Sequence, residues 1–148
     1  MISGKKVLAI VPARLKSKRL KFKNIKILNK KPLFVWTLLT AKKSKYIDKI
    51  ILSTESKKIV KIAKKFGFHT NFLRKKKLAT DKSKTIDVVL YCLKKIKKNF
   101  DYIVILQPTS PLRNSKDIDN SLKKIEKYKS DSLISLYKSE KKGKFPVI

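Results

Sequence analysis

The segment Val11–Asn24 reads VPARLKSKRLKFKN, with lysine or arginine at positions 14, 16, 18, 19, 21 and 23. It leaves the apolar run Val7–Val11 directly. A loop that carries this much charge away from a buried strand either holds an anion or is one more part of a basic surface. A second stretch, PTSPLRN at 108–114, follows the apolar run YIVILQ. Its two prolines, three residues apart, keep it out of regular structure, and Gln107 stands at its start. Two familiar phosphate cradles are excluded. There is no GxGxxG and no GxxxxGK[ST], since the only glycines are Gly4, Gly67 and Gly143. Phosphate binding at the first loop would therefore use charged side chains and backbone N–H groups that do not depend on glycine.

The elements that must position these loops are legible in the hydrophobic pattern. KVLAIVPA has no helical spacing and reads as a strand buried on both faces. Pro32 can open a helix, with Leu33, Trp36 and Leu39 recurring on one face. KIILST is a second strand, and the helix after it places Ile59, Ile62, Ala63 and Phe66 at i, i+3, i+4 and i+7 before Gly67 ends it. HTNFL is a third strand. A polar loop leads to a helix carrying Ile86, Val89, Leu90 and Leu93. YIVILQ is the fourth strand. Ser115 is expected to cap the next helix, with Asp117 in its first turn and Ile118, Leu122 and Ile125 on its buried face. SLISLY is the fifth strand.

Strand and helix thus alternate, which implies right-handed β-α-β units in a three-layer α/β/α domain with a mostly parallel sheet. Parallel strands are expected near 6–12, 49–53, 69–73, 102–107 and 132–137, with 102–107 inside the sheet rather than at its edge. In open sheets of this kind ligands bind beyond the carboxyl ends of the strands. The loops there are Ala13–Lys31, Thr54–Ser56 and Pro108–Asn114, so Arg14, Lys23 and Gln107 are expected to converge on one cleft.

Composition bounds the function. With 148 residues and 42% hydrophobic content, the chain suits one domain with a single core. No apolar run reaches the roughly 18 residues of a membrane span, and no signal-peptide pattern is present, so a cytoplasmic setting is expected. The formal net charge is +30, yet 36 of the 40 basic residues are lysine. Phosphate and base-edge readers favour arginine, whose planar fork binds at two points. The excess therefore reads as a drift toward lysine. Arg14, Arg19, Arg74 and Arg113 become informative because lysine was not used there.

Other reactive types are given quieter roles. Cys92, the single cysteine, reads as a small core residue, and His69, the single histidine, has no partner cluster. Asp81 and Asp87 flank a helix start and read as capping residues rather than a metal pair. Glu55 closes the second strand and reads as a loop brace. Arg113 reads as a brace of the Pro-Thr-Ser-Pro loop. Gln107 is open to two readings, a substrate contact or a bond to loop backbone.

Taken in order, VPARLKSKRLKFKN, KPLFVWTL, IDKIILSTES, FLRKKKLATDKSKTIDVV and ILQPTSPLR followed by DID resemble the sugar-acid cytidylyltransferases, the CMP-sialic acid synthetase group, over roughly residues 6–137. The resemblance implies a Rossmann-like nucleotidyltransferase fold and a reaction in which CTP activates a nine-carbon sugar acid, giving a CMP-sugar and pyrophosphate. It implies that Arg14 and Lys23 are the catalytic cations on the CTP phosphates, with Lys18 nearby. Asn24 would fix the loop and the nucleotide, Arg74 and Thr85 would lie near cytidine and ribose, and Gln107 would face the sugar acid. The family commonly has Pro-Gly or a similar pair where this chain has Lys21-Phe22. The resemblance also implies magnesium, held by acidic residues of a C-terminal third beyond residue 148, where the family's sugar contacts and dimerisation arm also lie. Residues 1–148 would then form the nucleotide-binding domain, with no metal ligand of their own.

Two alternatives stand beside this enzyme. One is a CTP-binding fragment without catalysis. The other, of a different class, is a lysine-rich nucleic-acid-binding module, whose binding would weaken steeply with salt.

Overall fold

Val7–Pro12 forms β1, and its residues from Val7 to Val11 are fully buried. A run of aliphatic side chains enclosed on both faces must sit at the centre of a parallel sheet. The computed structural model describes residues 1–70 and 72–136. In it β1 is the middle strand. Lys49–Ser53 (β4) pairs with it in parallel on one side and Tyr102–Ile105 (β5) on the other, with Leu8 opposite Lys49 and Val7 opposite Tyr102. Between β1 and β4 lie a short antiparallel pair, Ile27–Leu28 (β2) with Lys31–Pro32 (β3), and the helix Leu33–Lys42 (α1).

Helices cover both faces. On one, α1, Lys57–Lys65 (α2) and Ser115–Tyr128 (α4) pack on Val7, Ala9 and Val11 through Phe34, Leu38, Ile59, Ile118 and Leu122. On the other, Thr85–Ile96 (α3) packs on Leu8, Ile10 and Ile51 through Val88, Val89 and Cys92. This is the three-layer α/β/α arrangement with a parallel central sheet.

Several expectations are corrected. Strands at 69–73 and 132–137 do not form among the described residues; Asn71 and Tyr137 lie outside them. Among the described residues, the segment near 70 meets β4 through Thr70 Oγ1, which donates to the Leu52 carbonyl (3.3 Å), and the residue after β4 through the Arg74 N–H, which donates to the Thr54 carbonyl (2.8 Å). That is too few bonds for a ladder. Among the described residues, 132–136 have no partner strand, and Ile134 and Leu136 are exposed. For the same reason β5, expected inside the sheet, is an edge strand among the described residues, with Ile103 and Ile105 about two-fifths exposed (39% and 41%).

Two helix faces also differ. The buried side of α1 is Phe34, Val35, Leu38 and Ala41, not Leu33, Trp36 and Leu39. In α3, Ile86 and Leu90 are exposed. The N-cap of α4 is Asn114, one residue before Ser115. Its side chain accepts from the Asp117 N–H while Asp117 accepts from the Asn114 N–H, a reciprocal capping box.

Candidate active site

Because β1, β4 and β5 run parallel, their carboxyl ends open on one edge, and the loops there enclose a cleft of about 280 Å³. Its walls include Arg14, Lys23 and Asn24 from the loop after β1, Arg74 and Thr85 from the segment before and at the start of α3, and Gln107 after β5. Six of the seven residues singled out in the sequence thus meet in one place. The seventh, Lys18, is 82% exposed at the rim, and its Nζ lies 3.4 Å from Asp81 Oδ2.

Three of the hydrogen bonds that hold the basic loop involve Ala13, Leu15 and Asn24. The Ala13 N–H donates to the Ser53 carbonyl (3.0 Å), which extends the β1–β4 ladder by one step. The Leu15 N–H donates to Glu55 Oε1 (2.8 Å). Asn24, 6% exposed, donates from Nδ2 to the Arg14 carbonyl (2.7 Å) and so closes the loop on itself. Lys23–Ile25 forms a single 3₁₀ turn, entered through Phe22 at φ 58°. That left-handed conformation suits glycine and strains a bulky side chain, so the loop keeps a glycine-type bend with phenylalanine in it.

Glu55 is a brace, as its place at the end of β4 suggests. Its other oxygen, Oε2, accepts from Arg74 Nη2 (3.3 Å), whose side chain is 4% exposed. Arg74 therefore forms part of the cleft wall while bonded away from it. Arg113 is likewise a loop brace: its Nη2 donates to the Gln107 carbonyl (3.4 Å), and burial pulls its guanidinium below the usual arginine range. The side chain of Gln107 lines the cleft, while the Gln107 carbonyl holds the loop.

Asp81 departs from its expected capping role. The residue that caps α3 is Lys84, which makes no side-chain cap bond. Asp81 instead faces the basic loop, with Arg14 Nη2 on Oδ1 and Lys18 on Oδ2. The Arg14 guanidinium holds its carboxyl below the usual carboxylate range against a smaller opposing effect of desolvation, and Lys18 adds to the lowering. Asp87 lies in the first turn of α3, where a negative charge complements the helix dipole. Thr80 and Ser83, also in the cleft wall and bonded to each other, were not singled out from sequence. The available signal was Asp81 itself, the one acidic residue between Arg74 and Lys84.

Residues 8–144 match the family described as cytidylyltransferase. The chain belongs to this family. The CMP-N,N'-diacetyllegionaminic acid synthase of Legionella pneumophila is 38% identical over 134 residues, which cover 88% of this chain and 57% of that protein. An N-acylneuraminate cytidylyltransferase of Escherichia coli is 36% identical over 139 residues, 92% of this chain and 32% of that protein. A solved CMP:2-keto-3-deoxy-manno-octonic acid synthetase complexed with CTP superposes with a TM-score of 0.72 at 19% identity, covering 82% of this chain and 48% of that one. At that identity the likeness establishes the fold. The chain thus spans 57% and 32% of the lengths of these two relatives.

Among the described residues, no group of three or more His, Cys, Asp and Glu side chains could hold a metal ion. In this structure Asp81 faces two cations, and Glu55 bonds Arg74 and the Leu15 N–H. Among the described residues, no helix is long and apolar enough to cross a membrane.

Proposed function

We propose that this cleft binds CTP and that the chain takes part in transferring its cytidylyl group to a nine-carbon sugar acid. The observation that carries the reading is the convergence of Arg14, Lys23, Asn24, Arg74, Thr85 and Gln107 at the carboxyl edge of the sheet, from loops remote in sequence. The names of the relatives, which include legionaminic and N-acylneuraminic acid enzymes, support the substrate class.

In the proposed reaction the anomeric hydroxyl oxygen attacks the α-phosphorus of CTP. The bond from that phosphorus to the α–β bridging oxygen breaks, and pyrophosphate leaves with the electron pair. The hydroxyl proton passes to solvent. Negative charge grows on the leaving pyrophosphate, so cations aimed at it lower the barrier more than they tighten the ground state. Arg14 and Lys23 take that role, with Lys18 at the rim. Asn24 keeps Arg14 in place through its carbonyl. Arg74 and Thr85 form the wall toward cytidine and ribose, and Gln107 faces the sugar acid. The family resemblance calls for magnesium. The described residues hold no cluster of three or more candidate ligands for it, and no step passes through the metal. A CTP-dependent reaction of this kind belongs in the cytoplasm, where nucleoside triphosphates are held.

The test is pyrophosphate release from CTP with magnesium, with and without N-acetylneuraminic, legionaminic or pseudaminic acid. Release that depends on one of these acids and on CTP supports the reading. Release of the same size from ATP, or without any acid, contradicts it.

A further inference from the structure

We infer that Asp81 is a displaceable counter-ion, a latch that occupies Arg14 and Lys18 in the empty cleft and must leave before a nucleotide's phosphates can take them. This rests on the reading of the cleft as a triphosphate site. Asp81 lines the cleft, and its two oxygens face two cations of the opposite loop, 67 residues away in the case of Arg14. Residues 75–84 otherwise hold five lysines and no second acid, so the position of the single carboxylate is the notable feature of that segment.

Other roles for Asp81 fit less well. It caps no helix, and among the described residues it belongs to no group of three or more candidate metal ligands. It sits between the 3₁₀ turn Lys76–Leu78 and α3, and its side chain is 37% exposed, so it can swing out without disturbing the core. A carboxylate and a phosphate cannot share one guanidinium at close range, because like charges disfavour each other. The latch therefore reduces apparent affinity by the fraction of time it is closed, and by the same factor for every ligand that needs the two cations. A ligand without phosphate is untouched by it.

That factor gives a signature. In Asp81→Asn and in Asp81→Ser, inorganic tripolyphosphate and CTP should both bind roughly two- to fivefold more tightly, the range expected for releasing exposed ion pairs. Cytidine should bind as it does to the unaltered chain. In an Arg14→Ala background the gain should shrink, because half the latch has no partner there. Calorimetric titration of the full chain with these three ligands and ATP reads all of this, and a melting curve for each variant confirms folding. Weaker tripolyphosphate binding in both variants, or a gain of equal size in the Arg14→Ala background, would overturn the latch. The tripolyphosphate arm involves no nucleoside. If the unaltered chain fails to prefer CTP over ATP while the tripolyphosphate gain persists, the cytidine reading falls and the latch stands.

Discussion

Replacing Glu55 by alanine should be among the most damaging single changes near the cleft. Glu55 serves two partners at once, the N–H of Leu15 in the basic loop and the guanidinium of Arg74. The Arg74 side chain is 4% exposed and its Nε has no partner among the described residues, so the alanine variant would leave a buried cation without its carboxylate. Removing one member of a buried pair costs about 3–5 kcal/mol. Glu55 is 15% exposed and the contact is a single 3.3 Å bond, which places the pair at the low end, near 3 kcal/mol. The lost bond to Leu15 adds about 1 kcal/mol. A loss of roughly 3–4 kcal/mol is a large share of the roughly 5–15 kcal/mol that holds a domain together. For a chain of this size it corresponds to a fall of roughly 6–15 °C in Tm. Urea unfolding followed by far-ultraviolet circular dichroism measures it. The double variant Glu55→Gln with Arg74→Met should recover much of the loss, because it removes both charges and keeps an acceptor for Leu15. A loss under about 1 kcal/mol for Glu55→Ala would put the pair in the exposed class and refute the brace.

Three further outcomes are expected. Asn114→Ala should cost about 1 kcal/mol of stability while Ser115→Ala changes it by no more than a few tenths, by the same urea measurement, since the capping box lies at Asn114. The Cys92 thiol is fully buried and burial pushes its pKa up, so less thiolate is present at any given pH and an Ellman-type reagent at mildly alkaline pH should modify it only after unfolding. Gln107→Ala should reduce sugar-acid-dependent pyrophosphate release while CTP affinity by calorimetry stays within about twofold, the split expected when a residue serves the second substrate.

What the sequence reveals of this fold depends on whether a feature is local. β1, β4 and the core of β5 are apolar runs bounded by polar residues, and each forms where the pattern puts it. The faces of α1 were harder to read because LFVWTLLTA is apolar almost all round, so spacing alone does not say that Phe34 and Leu38, rather than Leu33 and Trp36, meet the sheet. The segments 69–73 and 132–137 show the limit for strands. Their composition suits a strand, but a strand exists through its neighbour, and among the described residues neither finds a full ladder. The cleft was readable because parallel strands send their following loops to one edge, which brings Arg14 and Gln107 together without any contact being known in advance. The pairing of Asp81 with Arg14 was not readable, since it depends on two loops 67 residues apart approaching in space.

The central claim, a cytidine triphosphate site built on the basic loop, is tested most directly by calorimetric titration of the chain and its Arg14→Ala variant with CTP, ATP and a short DNA duplex at two salt concentrations. CTP should bind in preference to ATP and keep that preference at the higher salt. Arg14→Ala should weaken CTP roughly ten- to a hundred-fold, as expected for loss of a charge-assisted contact of about 1.5–3 kcal/mol. Equal binding of all three ligands, abolished together by salt and indifferent to Arg14, would mean that the loop is only part of a lysine coat.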